Sequence, residues 1–271
     1  MKDSFYGIRI LSLAAMTALL ALPFSVGAAG PMTPQQQCDR GQQLFRTRKY
    51  AEAFAFYSAA ARRGYPMAQL LVGECYYDGR GVKQNDAEAA RNWRKAAERD
   101  IVEAKFRMGL CYAKGRGVPT DPIAAARWFK AAALRKHVLA THNLAVCHLV
   151  GFGVLKNQPE ALRLFREAAE EYEHPKSMIG LGMCFRRGYG AERNSSEANI
   201  WLKKAYEATH KGEFDQAAFD KWVGDQEKIW DEAVKCAAYP GMKSEKLGVP
   251  KGSAFLSLFE LFRPLLGRKL K

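Results

Sequence analysis

Six cysteines carry the most conspicuous potential chemistry in this chain, and five of them stand at even steps: 38, 75, 111, 147 and 184. Regularly spaced thiols can form disulfides, hold a metal or act as nucleophiles. A metal reading fails on spacing, because no C-x2-C or H-x3-H segment is present to converge four ligands. The five histidines, His137, His142, His148, His174 and His210, show no carboxylate or nucleophile at a catalytic spacing. The stretch Gly79–Lys83 reads GRGVK but lacks the G-K-[ST] ending of a phosphate loop. No catalytic, cofactor-binding or metal-ligating residue is therefore expected.

What must position these thiols is a repeat. The steps between them are 37, 36, 36 and 37 residues. Seven positions before the cysteine stand Ala68, Ala104, Ala140 and Ser177, and two before it Gly73, Gly109, Ala145 and Gly182. Two glycines follow in each copy: Gly79 and Gly81, Gly115 and Gly117, Gly151 and Gly153, Gly188 and Gly190. Small and apolar residues at three- and four-residue steps mark one helix face, and the first glycine is placed to stop that helix in a left-handed turn. Helix-starting residues follow at Asp86, Asp121-Pro122, Gln158-Pro159 and Ser195-Ser196. The second helix then carries a large residue before a small pair or single alanine, taken as Trp93, Trp128, Leu164 and Trp201. Each unit is an antiparallel helical hairpin, and the fold class is all-α, a right-handed α-solenoid of stacked hairpins.

The pattern A-x(4)-L-G-x-C/M-Y-x2-G-x-G-V, followed by A-x2-W-x3-A-A, is met closely at 68–97 and 104–133. On these residues the chain resembles the Sel1-like repeat family over about residues 36 to 210. His148 in place of the tyrosine and Ala191 in place of the valine depart from that pattern in the later copies. The resemblance implies an adaptor for other proteins. Family members that use disulfides carry two cysteines per repeat, whereas this chain has one. Equivalent positions in adjacent units lie roughly 10 Å apart, beyond the about 7 Å that a disulfide spans between Cα atoms. The thiols are thus read as small buried packing residues, with a Cys184–Cys236 pairing left open. Enzymatic action on cell-wall or β-lactam-like compounds rests on the resemblance alone, and no residue supports it.

The chain divides into a signal peptide at 1–28, a tetratricopeptide-like hairpin at 36–64, repeats at 65–212, a capping helix at 213–240 and a basic, apolar tail at 241–271. Lys2 and Arg9 precede an apolar run from Ile10 to Leu22, and Val26-Gly27-Ala28 suits cleavage. Export is expected, to a bacterial periplasm or beyond, although the leader fits an endoplasmic reticulum lumen too. Net charge is +14, which favours acidic partners. Nucleic acid is not expected, since no basic helix interleaves with stacking aromatics.

Positions that change between units point to a surface. On the first helices these include Arg107, Leu110, Lys114, Leu139, Asn143, Val146, Val150, Met183 and Arg187. They share one face by helical spacing, the face that lines the concave side of helical solenoids. It reads as acidic at one end, apolar in the middle and basic at the other, and a protein or peptide partner is expected there. The tail segment AFLSLFELF, with Phe255, Phe259, Phe262 and then Arg263, is open to three readings. It caps the last repeat, docks in a groove, or lies on an anionic membrane or wall polymer. Oligomeric state is not written in the sequence.

Overall fold

The computed structural model describes residues 31–210 and 212–238. Among these residues the chain forms helices joined by short turns, with no strand. Five hairpins follow one another: α1 (Pro34–Arg46) with α2 (Tyr50–Arg62), α3 (Pro66–Asp78) with α4 (Asp86–Glu98), α5 (Val102–Lys114) with α6 (Pro122–Ala133), α7 (Val138–Val150) with α8 (Gln158–Glu170), and α9 (Pro175–Arg187) with α10 (Ser195–Thr209). A longer helix, α11 (Gln216–Ala238), ends the described chain. Each second helix also packs on the first helix of the next hairpin, so every unit's core is completed by its neighbour.

The loop chemistry explains where helices start and stop. The side chains of Asn85, Asp121, Asn157 and Asn194 accept backbone N–H bonds and cap α4, α6, α8 and α10. In three of these the cap falls one residue before the helix-starting residue read from the sequence. Gly79, Gly115, Gly151 and Gly188 end the first helices at φ between 67 and 80°. Each glycine N–H donates to the carbonyl of the cysteine four residues back. The second glycine has a different task. A Cβ on Gly117 would sit 2.0 Å from the Asp86 carbonyl oxygen, and one on Gly153 would sit 1.9 Å from that of Pro122. The loop of one unit thus rests on the start of the previous unit's second helix.

Close helix approach sets the core. A Cβ on Gly73 would meet the Trp93 ring at 2.4 Å, one on Gly109 the Phe129 ring at 2.5 Å, and one on Gly182 the Leu202 side chain at 2.8 Å. This corrects the register of the second helices. Trp93, Phe129, Phe165 and Leu202 are the equivalent core residues, each buried at 1% exposure or less. Trp128 is only half-buried and Trp201 and Leu164 stand one residue off the rung.

The five ladder cysteines are all buried and all free, Cys184 included; the Cys236 side chain lies outside the described residues. Burial pushes the thiols of Cys38 and Cys75 up to about 11 and those of Cys111 and Cys184 up to about 12. They are protonated packing groups rather than nucleophiles.

Candidate interaction face

The changing positions of the first helices divide into two regions. On α3 and α5 they remain at the surface. Arg107 lies between two carboxylates, with its Nε 3.0 Å from Glu74 and 2.9 Å from Glu103, and its guanidinium 5.9 Å from the Trp93 ring centre. Burial pushes the Glu103 carboxyl up, but hydrogen bonds from His137 and Arg107 outweigh it and hold it below the usual range. Burial leaves Glu74 above that range despite Arg107. Half-buried Leu110 and Lys114 line a shallow hollow of about 20 Å3, the size of a single water, between α3 and α5, together with Tyr77, Trp93 and Arg107. Arg116 closes its far side, bonded to both Asp86 carboxylate oxygens at 3.1 and 2.9 Å and to the Tyr77 hydroxyl at 2.6 Å.

On α7 and α9 the same positions are covered, against expectation. Asn143, Val146 and Met183 are 5%, 0% and 0% exposed. Val146 and Met183 belong to one continuous apolar cluster with Trp230 and Ala233 of α11, and half-buried Val150 packs on it. Leu139, at 38% exposure, alone among the apolar third-repeat positions named above stays open. Arg187 is not a free surface cation either. It donates to both carboxylate oxygens of Asp231, at 3.1 and 2.7 Å, and lies 3.5 Å from Glu227. Helix α11 contacts α7 and α9 as well as α10, so it lies over the first-helix face rather than only closing the end. The expected acidic-to-basic gradient also gives way, because its arginines are matched locally by Glu74, Glu103, Glu227 and Asp231. Phe255, Phe259, Phe262 and Arg263 of the tail lie outside the described residues.

One polar cluster escapes sequence reasoning. The hydroxyl of Ser177 lies 3.0 Å from Nδ1 of His142 and 2.9 Å from Nδ1 of His174, and the two rings meet edge to face at 5.3 Å. Its signal was the one serine at a position that is otherwise alanine. Burial, aided by the neighbouring Lys176 charge, drives His142 well below the usual histidine range and His174 down to about 4. His142 and Ser177 are 1% and 0% exposed and His174 is half-buried, and the group joins two repeats. Among the described residues no three metal-ligating side chains converge, and no helix is long and apolar enough to cross a membrane.

The fold defines a solenoid of stacked helical hairpins. The Sel1 repeat matches at residues 39–65, 66–101, 102–137, 138–172 and 175–210, and the chain belongs to that family. A Sel1 repeat protein from Oxalobacter formigenes superposes with a TM-score of 0.61 at 26% identity, over 78% of this chain and 82% of its own. The fold of c5321, a protective antigen present in uropathogenic Escherichia coli strains, matches with a TM-score of 0.63 at 22% identity, over 85% of this chain and 45% of that one. No curated protein matches the chain. Sel1 repeats generally serve as non-enzymatic scaffolds for protein–protein interaction.

Proposed function

We propose that this chain is an exported adaptor that holds a protein or peptide partner on the α3–α5 part of its first-helix face. The observation that carries the proposal is the contrast along that face. Val146 and Met183 of α7 and α9 are buried in the cluster that α11 joins, while Leu110 and Lys114 of α5 stay half-buried beside a shallow hollow next to Trp93. Half-buried Leu110 among the cations Arg107, Lys114 and Arg116 suits a partner surface that is apolar at that point and acidic around it. Export rests on the leader at residues 1–28 and would deliver the adaptor to an envelope or secreted partner.

The test is capture from the native envelope with wild-type chain, Lys114→Glu and Leu110→Asp, each checked for intact helicity by circular dichroism. Both substitutions are expected to remove the specifically retained protein at unchanged fold. Undiminished capture by the two variants would refute this placement. Amino-terminal sequencing of the exported product, expected to start just after Ala28, checks the leader.

A further inference from the structure

Helix α11 treats the α7–α9 face as a ligand would. On the first helices the position four before the cysteine is Leu71, Arg107, Asn143 and then Gly180. Gly180 lets the Phe165 ring pack directly on the α9 backbone, since an added Cβ would lie 2.8 Å from it. Against that ring, at 6.1 Å between centroids, stands Trp230, itself 2% exposed. Beside the aromatic contact is a charge match. Arg186 and Arg187 occupy the last turn of α9, where Arg186 pairs with Glu227 and Arg187 with Asp231. Glu227, Trp230, Asp231 and Val234 fall at steps of three, four and seven residues, which is one stripe of α11. Unlike the other helices, α11 has no hairpin partner among the described residues, and it follows a connection through Gly212.

We infer that the α7–α9 face is a helix-binding groove which α11 fills as a resident ligand, and that its outside partner is an acidic amphipathic helix. Such a helix presents a tryptophan flanked by carboxylates in the Glu-x2-Trp-Asp arrangement and takes the place of α11. Competition by a tethered segment lowers apparent affinity by the fraction of time the groove is open. The inference goes beyond the α3–α5 reading, and either stands if the other falls.

The probe is a fluorescent synthetic peptide of residues 214–238 carrying Cys236→Ser, titrated against full exported chains by polarisation. Opening the groove with Trp230→Ala/Asp231→Lys is expected to tighten peptide binding at least tenfold over wild type. Adding Arg187→Glu to the opened chain is expected to undo that gain. A peptide carrying Asp231→Arg is expected to regain affinity for the opened chain carrying Arg187→Asp, and Lys114→Glu to leave all these values unchanged. Equal affinity of wild-type and opened chains, or indifference to Arg187→Glu, would overturn the inference. So would opened chains that pair with one another and ignore the peptide, since the groove would then be an exchange site between copies. Hydrogen exchange on the unaltered protein supplies a measurement free of folding defects. Amides of α11 are expected to exchange at least tenfold faster than those of α7 and α9, and exchange only in step with them would refute a displaceable helix.

Discussion

The α3–α5 and α7–α9 faces descend from one repeated pattern, yet one is open and the other closed. Where α5 places Arg107 over a tryptophan, α9 places Gly180 beside a phenylalanine and admits Trp230. Where α5 ends on Lys114 at the edge of a hollow, α9 ends on Arg187 clamped to Asp231. Positions outside the packing pattern are free to vary, and that freedom has produced a surface in one unit and an interior in another. The variable face of a repeat protein is therefore not a single site; its exposure must be established unit by unit.

The largest expected effect that tests this contrast is truncation of the wedge. Trp230→Ala removes a buried indole and should lower stability by about 3 kcal/mol, with the loss confined to α11 in hydrogen exchange. Loss of protection spread evenly through α3 and α5 would show that the two faces are not separable.

An effect of similar size should come from acid, centred on the closed side. His174 titrates near 4 in the folded chain, below the roughly 6.5 of an unfolded histidine. The folded state therefore binds fewer protons. Its advantage is full above about pH 6.5 and fades as pH falls towards 4, by about 3 kcal/mol for His174, with His142 acting in the same direction. Denaturant unfolding as a function of pH measures this, and His174→Gln should flatten the slope. A slope unchanged by that substitution would place the sensitivity elsewhere.

Charge reversal sharpens the comparison further. Arg187→Glu breaks a half-buried bidentate pair and sets three acids together, so it should cost about 1–2 kcal/mol. Lys114→Glu, at a half-buried position on α5, should cost less than Arg187→Glu. Parallel urea titrations compare the two, and equal losses would argue against the division. The smallest expected effect is none: Cys75, Cys111 and Cys147 should resist alkylation in the native state, and mass spectrometry of brief iodoacetamide labelling would reveal any exception.

Much of the fold was legible because its determinants are local. Glycines after Cys75, Cys111, Cys147 and Cys184 announce left-handed helix ends, and Asp121 announces a helix start. The turns between hairpins were less legible. They use Asp100, Lys136 and Glu173 at positive φ; aspartate favours that conformation, but lysine and glutamate carry no mark of it in their type. The second-helix register was misjudged where two large residues adjoin, as at Trp128-Phe129 and Trp201-Leu202. Counting 18 residues from each cysteine gives the buried member; matching tryptophan to tryptophan gives its neighbour, a rotation of about 100° around the helix. The face was misjudged for a different reason. Whether Val146 and Met183 meet water depends on where α11 lies, and that is a contact between segments roughly 50 to 90 residues apart, about which a local pattern is silent.

The second glycine of each loop makes length a discrete quantity in this molecule. Because Gly117 rests on Asp86 as Gly153 rests on Pro122, each loop is a tooth cut for the helix start of the preceding unit. Excising residues 76–111, one full period of 36, would join Cys75 to Tyr112 and bring the Gly117 tooth onto Tyr50, the seat that Gly81 now holds. The result is a shorter rod with every mesh preserved, whereas removing a few residues more or fewer would jam two units at once. The chain can thus be lengthened or shortened only in whole steps, and this one would remove the α3–α5 hollow while leaving the α11 groove in place.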